Sequence, residues 1–363
     1  MKSKRTLGQI IVLLLILTIF LTFQQLESRK QASSQIPAMA SHPESIDVFF
    51  SAPWDPASSS LRGGPDAELA SAIEGAKYSV DMAIYKLDLW SLRDALIDAH
   101  RRGVDVRVVV DSDYAGEAEI EALVASRIPV QEDQRDSLMH HKFTIIDGYE
   151  VWTGSMNYSV NGAYRHDNNL LRLRSAEVGA NYIREFEEMF LEDRFGALSR
   201  PDTPYPESQI GGQAIEVYFS PDDGVGAHLV DLLREAQISI EIMAFSLTSD
   251  SLAEALLNAA GDGVNVRMVI EKDQAGNIGG EAQRLMDAGL DVRLDSNPNR
   301  MHHKVIVIDR SVVVTGSYNF SRNAEDFNDE NVIILHSREL AADYLVEFNR
   351  IFEGAENDTD GRD

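Results

Sequence analysis

The stretch "LMHHKFTIIDGYEVWTGSMNYSVN", Leu138 to Asn161, lies without a gap over "RMHHKVIVIDRSVVVTGSYNFSRN", Arg300 to Asn323, at one constant offset. The correspondence extends outward in both directions. "IDVFFSAP" from Ile46 is echoed by "IEVYFSPDDG" from Ile215, and "AKYSVDMAIYKL" from Ala76 by "AQISIEIMAFSL" from Ala236. "RRGVDVRVVVD", ending at Asp111, returns as "GDGVNVRMVIE", ending at Glu271, and "ANYIREFEEMF", ending at Phe190, returns as "ADYLVEFNRIF", ending at Phe352. The order is the same in both halves and the period far exceeds that of a solenoid unit, so a whole domain is duplicated.

Within each half the pattern runs strand, helix, strand, helix, strand, strand, helix. "SVDMAIY" and "VDVRVVVD" are short, apolar and β-branched, as buried strands are. "SLRDALIDAHRRG" and "SLAEALLNAAGDG" space their apolar residues as helices do and end at glycine. This alternation predicts a pair of α/β layered domains, residues 46–200 and 214–354. "PDTPYPESQIGGQ", residues 201–213, carries three prolines and two glycines and reads as the linker between them.

Ahead of the first domain, Lys2, Lys4 and Arg5 precede an apolar run from Leu7 to Phe23. The triplet Ala38-Met39-Ala40 resembles a cleavage site but stands well beyond that run, so residues 1–30 read as one uncleaved hydrophobic anchor helix rather than a removed signal. The basic cluster ahead of it favours a cytoplasmic N-terminus and an extracytoplasmic catalytic part; cleavage would make the protein secreted. Residues 31–45 read as a flexible tether, and residues 355–363 as an acidic solvated tail. Across the 363 residues, 33 Lys and Arg stand against 59 Asp and Glu, a formal net charge of -26. Such a surface repels polyanions and disfavours a broad nucleic-acid-binding face. With no cysteine, disulfides, Cys-ligated metals and Cys nucleophiles are excluded.

Both copies of the repeated stretch contain H-x-K-x4-D: His140, Lys142 and Asp147, then His302, Lys304 and Asp309. "KFTIID" and "KVIVID" read as strands, where side chains at i and i+2 share a face, so each His projects beside its Lys from a rigid element. At matched spacing beyond each His stand Ser155 and Ser317, with Asn157 and Asn319 two further on. A hydroxyl and an amide there are expected to hold phosphate oxygens. If the halves face each other, paired His, Lys, Ser and Asn converge on one pocket suited to a phosphodiester: cations and donors neutralise the non-bridging oxygens, one His attacks phosphorus, the other protonates the leaving alkoxide. The lysines supply the charge that a metal would, and no ligand set remains beside them, so neither metal nor cofactor is expected. Asp147 and Asp309 close the motif, with a strand-end structural role open beside substrate contact. His141 and His303 point to the other strand face and are expected to pack or lie on the surface, and Trp152, Tyr158 and Phe320 read as core.

The halves resemble the two HKD domains of the phospholipase D superfamily from about Ile46 to Phe352, with both motifs complete. The resemblance implies two tandem α-β-α sandwich domains related by a pseudo-two-fold axis. It further implies His140 as nucleophile, His302 as general acid, and a downstream carboxylate that orients a histidine across the interface. Glu330, in "NDENVIIL", fits that position downstream of His302, whereas its counterpart in the first half, in "HDNNLLRL", is Asn168. Crossed pairing would make His140 the more basic and leave His302 the better acid. The expectation is therefore a metal-independent phosphodiesterase acting on membrane phospholipid through a phosphohistidine, by hydrolysis or phosphatidyl transfer. A membrane-tethered nuclease and a cardiolipin-synthase-like phosphatidyltransferase are the alternatives. Intramolecular pairing of the halves implies a monomer.

Overall fold

A computed structural model describes residues 43–355. The expected anchor, almost all of the tether, and the acidic tail beyond Ala355 lie outside the described residues; among the described ones no helix is long and apolar enough to cross a membrane. The described residues from Glu44 to Ala355 form one compact unit.

In the first half the strands are β1 (Ser45–Phe50), β2 (Ser79–Ile84), β3 (Asp105–Val110), β4 (Val130–Glu132), β5 (Lys142–Ile146), β6 (Glu150–Gly154), β7 (His166–Asp167) and β8 (Asn169–Arg174). All but β7 form one seven-stranded sheet in the order β1-β8-β6-β5-β2-β3-β4. Strands β2, β3 and β4 run parallel, each joined to the next through a helix, and the rest of the sheet is antiparallel. The second half repeats this plan with β9 (Glu207–Ile210), β10 (Gln213–Ser220), β11 (Ser239–Ala244), β12 (Asn265–Ile270), β13 (Asp291–Leu294), β14 (Arg300–Met301), β15 (Lys304–Ile308), β16 (Val312–Gly316) and β17 (Glu330–His336). Its eight-stranded sheet has the order β13-β12-β11-β15-β16-β17-β10-β9.

Strand β9 corrects the linker reading. Residues 207–210 add an antiparallel edge strand to β10, and Ile210 is buried, so only the proline-rich start of 201–213 connects. Even that part is fastened, because Asn181 exchanges two hydrogen bonds with the backbone of Tyr205.

Alternation along the strands explains the layering. In β5, Phe143 and Ile145 enter a core shared by both halves, whereas Ile146 enters a core private to the first; in β15, Val305 and Val307 enter the shared core, and Ile306 and Ile308 a separate core private to the second. Between the sheets lie two long helices, Ala176–Glu192 and Arg338–Gly354. Each starts at a serine, Ser175 or Ser337, whose hydroxyl accepts a backbone N–H of the first turn. Val178, Tyr182, Phe186 and Met189 form the apolar stripe of the first, Tyr344, Phe348 and Ile351 that of the second, and all are in the shared core. The halves are thus two α/β sandwiches fused through a common inner layer.

Candidate active site

The two histidine strands end at the interface between the halves, and backbone bonds across it set their position. His140 N–H donates to the Asp329 carbonyl at 2.9 Å and His302 N–H to the Asp167 carbonyl at 2.9 Å. The short parallel pair β7 and β14 joins Arg300 to His166 and Met301 to Asp167, and an isolated bridge pairs Met139 with Asp329. Asp111 and Glu271 fasten the residue before each histidine, accepting Met139 N–H at 2.9 Å and Met301 N–H at 2.6 Å. Each histidine therefore meets the residue that follows its backbone partner in the opposite half.

For His140 that residue is Glu330, with Nδ1 and Oε2 2.8 Å apart. For His302 it is Asn168, whose Oδ1 lies 3.0 Å from Nδ1, beside the Ser155 carbonyl at 3.1 Å. An imidazole nitrogen facing only acceptors carries the proton, so each ring holds N–H at Nδ1 and turns Nε2 to the site. Burial pushes the Glu330 carboxyl up, but His140 and Lys142 outweigh it and hold the group below its usual range, as a carboxylate. Burial pulls His140 down to about 4 against the opposing pull of Glu330, so at neutral pH its Nε2 lone pair is free. His302 falls well below its ordinary value through burial, then through Lys304 and His166.

Lys142 and Lys304 are fully buried between the same elements, donating to the carbonyls of His140 at 2.6 Å and His302 at 3.0 Å. Burial pulls Lys142 well below the usual lysine range and Lys304 down to about 7. The charge of Lys304 is felt at His140, and those of Lys142 and His140 at His302, so the four groups share one field. Two buried amines whose charge burial opposes gain most when a phosphate anion enters.

This constellation can attack and protonate opposite sides of a phosphodiester, and comparison with known proteins names the lineage. The family described as "Cardiolipin synthase, PLD-like domain" matches residues 69–190 and again 229–352, most of the chain. The chain belongs to the phospholipase D superfamily. It is a phosphodiesterase-class enzyme of that superfamily. The phospholipase D of Rickettsia prowazekii (strain Madrid E) is 33% identical over 141 residues, 39% of this chain and 69% of that protein. The mitochondrial cardiolipin hydrolase of Xenopus tropicalis is 37% identical over 131 residues, 36% of this chain and 62% of that protein. Among solved structures, the phosphatidylserine synthase of Haemophilus influenzae Rd KW20 superposes with a TM-score of 0.65 at 13% identity, over 86% of this chain and 87% of that one, a likeness of fold.

Several residues expected at this phospholipase D-type site are elsewhere or otherwise engaged. Asp147 and Asp309, for which the motif leaves catalytic substrate contact and a strand-end role both open, sit just past the far ends of β5 and β15. Asp147 accepts the backbone N–H groups of Lys77, Tyr78 and Ser79, and Asp309 those of Gln237, Ile238 and Ser239, at 2.7 to 3.2 Å. A five-residue strand separates each from its lysine, roughly 16 Å at 3.3 Å per residue. These carboxylates clamp the start of β2 and β11, the strand-end role. Ser155 and Ser317, expected to hold phosphate, are fully buried. Their oxygens accept the backbone N–H of Asn169 and Asn331 at 3.1 and 3.0 Å, and Ser155 also donates to Asn168 Oδ1 at 2.9 Å. Both order the strand that carries the histidine's partner. Asn157 and Asn319 each keep a buried side-chain oxygen without a hydrogen-bond partner among the described residues.

His141 and His303, expected to pack or lie on the surface, are fully buried in the shared layer, and it is their partners that escaped the sequence reading: His141 Nε2 meets Glu185 at 2.8 Å, and His303 Nε2 meets Glu347 at 3.3 Å. Their Nδ1 atoms meet the amides of Asn331 and Asn169 from the opposite half, at 3.3 and 3.1 Å. Glu185 and Glu347, like Asn169 and Asn331, stand apart by the same offset as the two motifs, the signal that could have revealed them. Tyr85 and Phe245 were also missed. Their rings lie 4.8 Å from the His140 ring and 4.6 Å from the His302 ring, one aromatic neighbour to each histidine.

Proposed function

We propose that this chain cleaves phospholipid phosphodiesters through a covalent phosphohistidine on His140, with His302 as general acid and then general base. The observation that carries the assignment is the unequal pairing of the two rings, His140 on the Glu330 carboxylate and His302 on neutral oxygens. Attack through Nε2 turns His140 into a cationic phosphoimidazolium, which a carboxylate stabilises and an amide does not. His302 takes up a proton when the anionic diester binds and releases it from Nε2 to the leaving oxygen as the P–O bond breaks. A water enters, loses its proton to the now neutral His302, attacks phosphorus and breaks the P–N bond, regenerating His140 and leaving a phosphomonoester. An alcohol in place of water gives phosphatidyl transfer by the same steps.

Lys142 and Lys304 carry the non-bridging oxygens, and the half-buried Asn157 and Asn319, each with a buried Oδ1 lacking a partner among the described residues, would add amide N–H donors to them. The phospholipid substrate is supported by the phospholipase and cardiolipin hydrolase relatives, by the acidic net charge that repels polyanions, and by the apolar run Leu7–Phe23, which would hold the enzyme at a membrane. To test this, the full-length chain and its His140→Ala form are offered labelled phosphatidylcholine and phosphatidylglycerol vesicles, and single- and double-stranded oligonucleotides, in EDTA. Lipid cleavage that the substitution abolishes supports the proposal. Oligonucleotide cleavage with inert lipid makes the enzyme a nuclease.

A further inference from the structure

The internal duplication provides a control within the molecule, because every rim residue on one side of the site has a counterpart on the other. Around His302 the first half contributes Arg165 and His166 and the second half Arg300. At the offset that relates the two motifs, the positions around His140 are Phe327, Asn328 and Leu138. The backbone is the same in both places: Arg300 pairs with His166 in the short β7 and β14 ladder, and Leu138 and Asn328 immediately precede the bridged residues Met139 and Asp329. Two cations and an imidazole on one side are thus replaced by a leucine, a half-exposed phenylalanine and an amide on the other.

The polar side borders His302 directly. The His166 ring is 5.8 Å from the His302 ring, and the Arg300 guanidinium lies 5.9 Å from the centre of Phe245, which itself packs 4.6 Å from His302. Arg165 donates to Asn161 at 2.8 Å, and among the described residues neither Arg165 nor Arg300 forms a salt bridge. The carboxylates on neighbouring elements are engaged: Asp167 by Arg350 and Asn297, and Glu271 by the backbone N–H groups of Met301 and Asp273. In a chain of formal net charge -26, two exposed guanidinium groups thus stand near the general acid without a salt bridge, Glu271 alone of the neighbouring carboxylates feeling the charge of Arg300, whereas the matched positions around His140 carry no charge at all.

We infer that Arg300, with Arg165 and His166, binds an anionic group carried by the leaving alcohol, while Leu138 and Phe327 accept the acyl-bearing side that remains on His140. This rests on the proposed phosphodiesterase chemistry and its assignment of His302 to the leaving group. A phosphate or carboxylate one or two bonds beyond the scissile oxygen meets the guanidinium groups as His302 delivers its proton. The site would therefore prefer phospholipids whose head-group alcohol is itself charged.

The experiment compares phosphatidylglycerol with phosphatidylglycerol phosphate, which differ only by a phosphate on the leaving glycerol, each diluted in neutral detergent micelles. Bis(4-nitrophenyl) phosphate reports diester cleavage without lipid. Full-length wild type should favour the phosphorylated head group in kcat/KM. Arg300→Leu, which installs the residue of the other side, should lower that preference about 10- to 100-fold, and Arg300→Lys should restore part of it. His166→Asn should lower it less. An unchanged preference in Arg300→Leu, with the chromogenic diester still cleaved, overturns the inference alone. A wild type inert toward both lipids overturns the underlying reading, whether the chromogenic diester is also inert or a single-stranded oligonucleotide is cleaved in its place.

Discussion

Replacing Glu330 by Gln removes one negative charge from a fully buried contact and keeps the side chain's length. The single amide oxygen can still accept from His140 Nδ1–H, at the expense of the neutral bond that Glu330 Oε1 accepts from Asn328 Nδ2 at 3.2 Å. What is lost is the attraction between a carboxylate and the positive charge that develops on His140, whose Nδ1 is 2.8 Å from Glu330 Oε2. Two unit charges separated by about 4 Å in a medium of effective dielectric about 20 attract by about 4 kcal/mol. At about 1.4 kcal/mol per decade, formation of the phosphohistidine should slow about a thousandfold. The assay is a single-turnover reaction with labelled lipid and an alkaline quench, which preserves a phosphohistidine, so the bond-forming step is read apart from hydrolysis. Asn168→Ala is the comparator, since it touches the ring whose partner is neutral. A loss in Glu330→Gln no larger than in Asn168→Ala would refute the division of labour between the two histidines.

Three further outcomes follow from the same geometry. With Lys304 lowered to about 7 and charged only below that value, kcat/KM should fall as pH rises through about 7, and on the acid side as His140 gains a proton near 4; a profile flat from pH 5 to 9 would contradict this. Because Asp147 and Asp309 clamp backbone amides away from the site, Asp147→Ala and Asp309→Ala should each lower stability by about 2–3 kcal/mol in urea unfolding, yet leave turnover per folded molecule within about threefold. His140, His141 and His166 all have folded values pulled from 6.5 to about 4, chiefly by burial. Their unfolded forms take up protons first, so stability is full above pH 6.5 and declines toward pH 4. Three protons taken up on unfolding correspond to at most about 4 kcal/mol per pH unit, measurable as a falling Tm.

Much of this protein is readable from its chain. The duplication is visible as matched spacing, and β5 and β15 as short apolar runs, because strand alternation is a local property. The same alternation puts His140 beside Lys142 and His302 beside Lys304 before any tertiary contact is considered. The edge strand Glu207–Ile210 was hidden for a related reason: prolines and glycines around it read as a linker, and only pairing with β10 makes "ESQI" a strand.

What the chain by itself determined is therefore the inventory of reactive groups and the rigid elements that carry them. Tertiary structure decided their employment. Asp147 closes the same motif as His140, yet the length of β5 carries it to the far end of the sheet, where three backbone amides claim it. Ser155 looks like a phosphate ligand until the returning strand β8 takes its oxygen. His141 reads as a bystander, but the fused inner layer gives it Glu185 on one nitrogen and Asn331, from the other half, on the next. Even the difference between the two histidines depends on Glu330 and Asn168, each reaching its ring from the opposite half of the chain. Hydrogen-bond partners that distant in sequence are chosen by which surfaces the cores bring together, a choice no local pattern can encode.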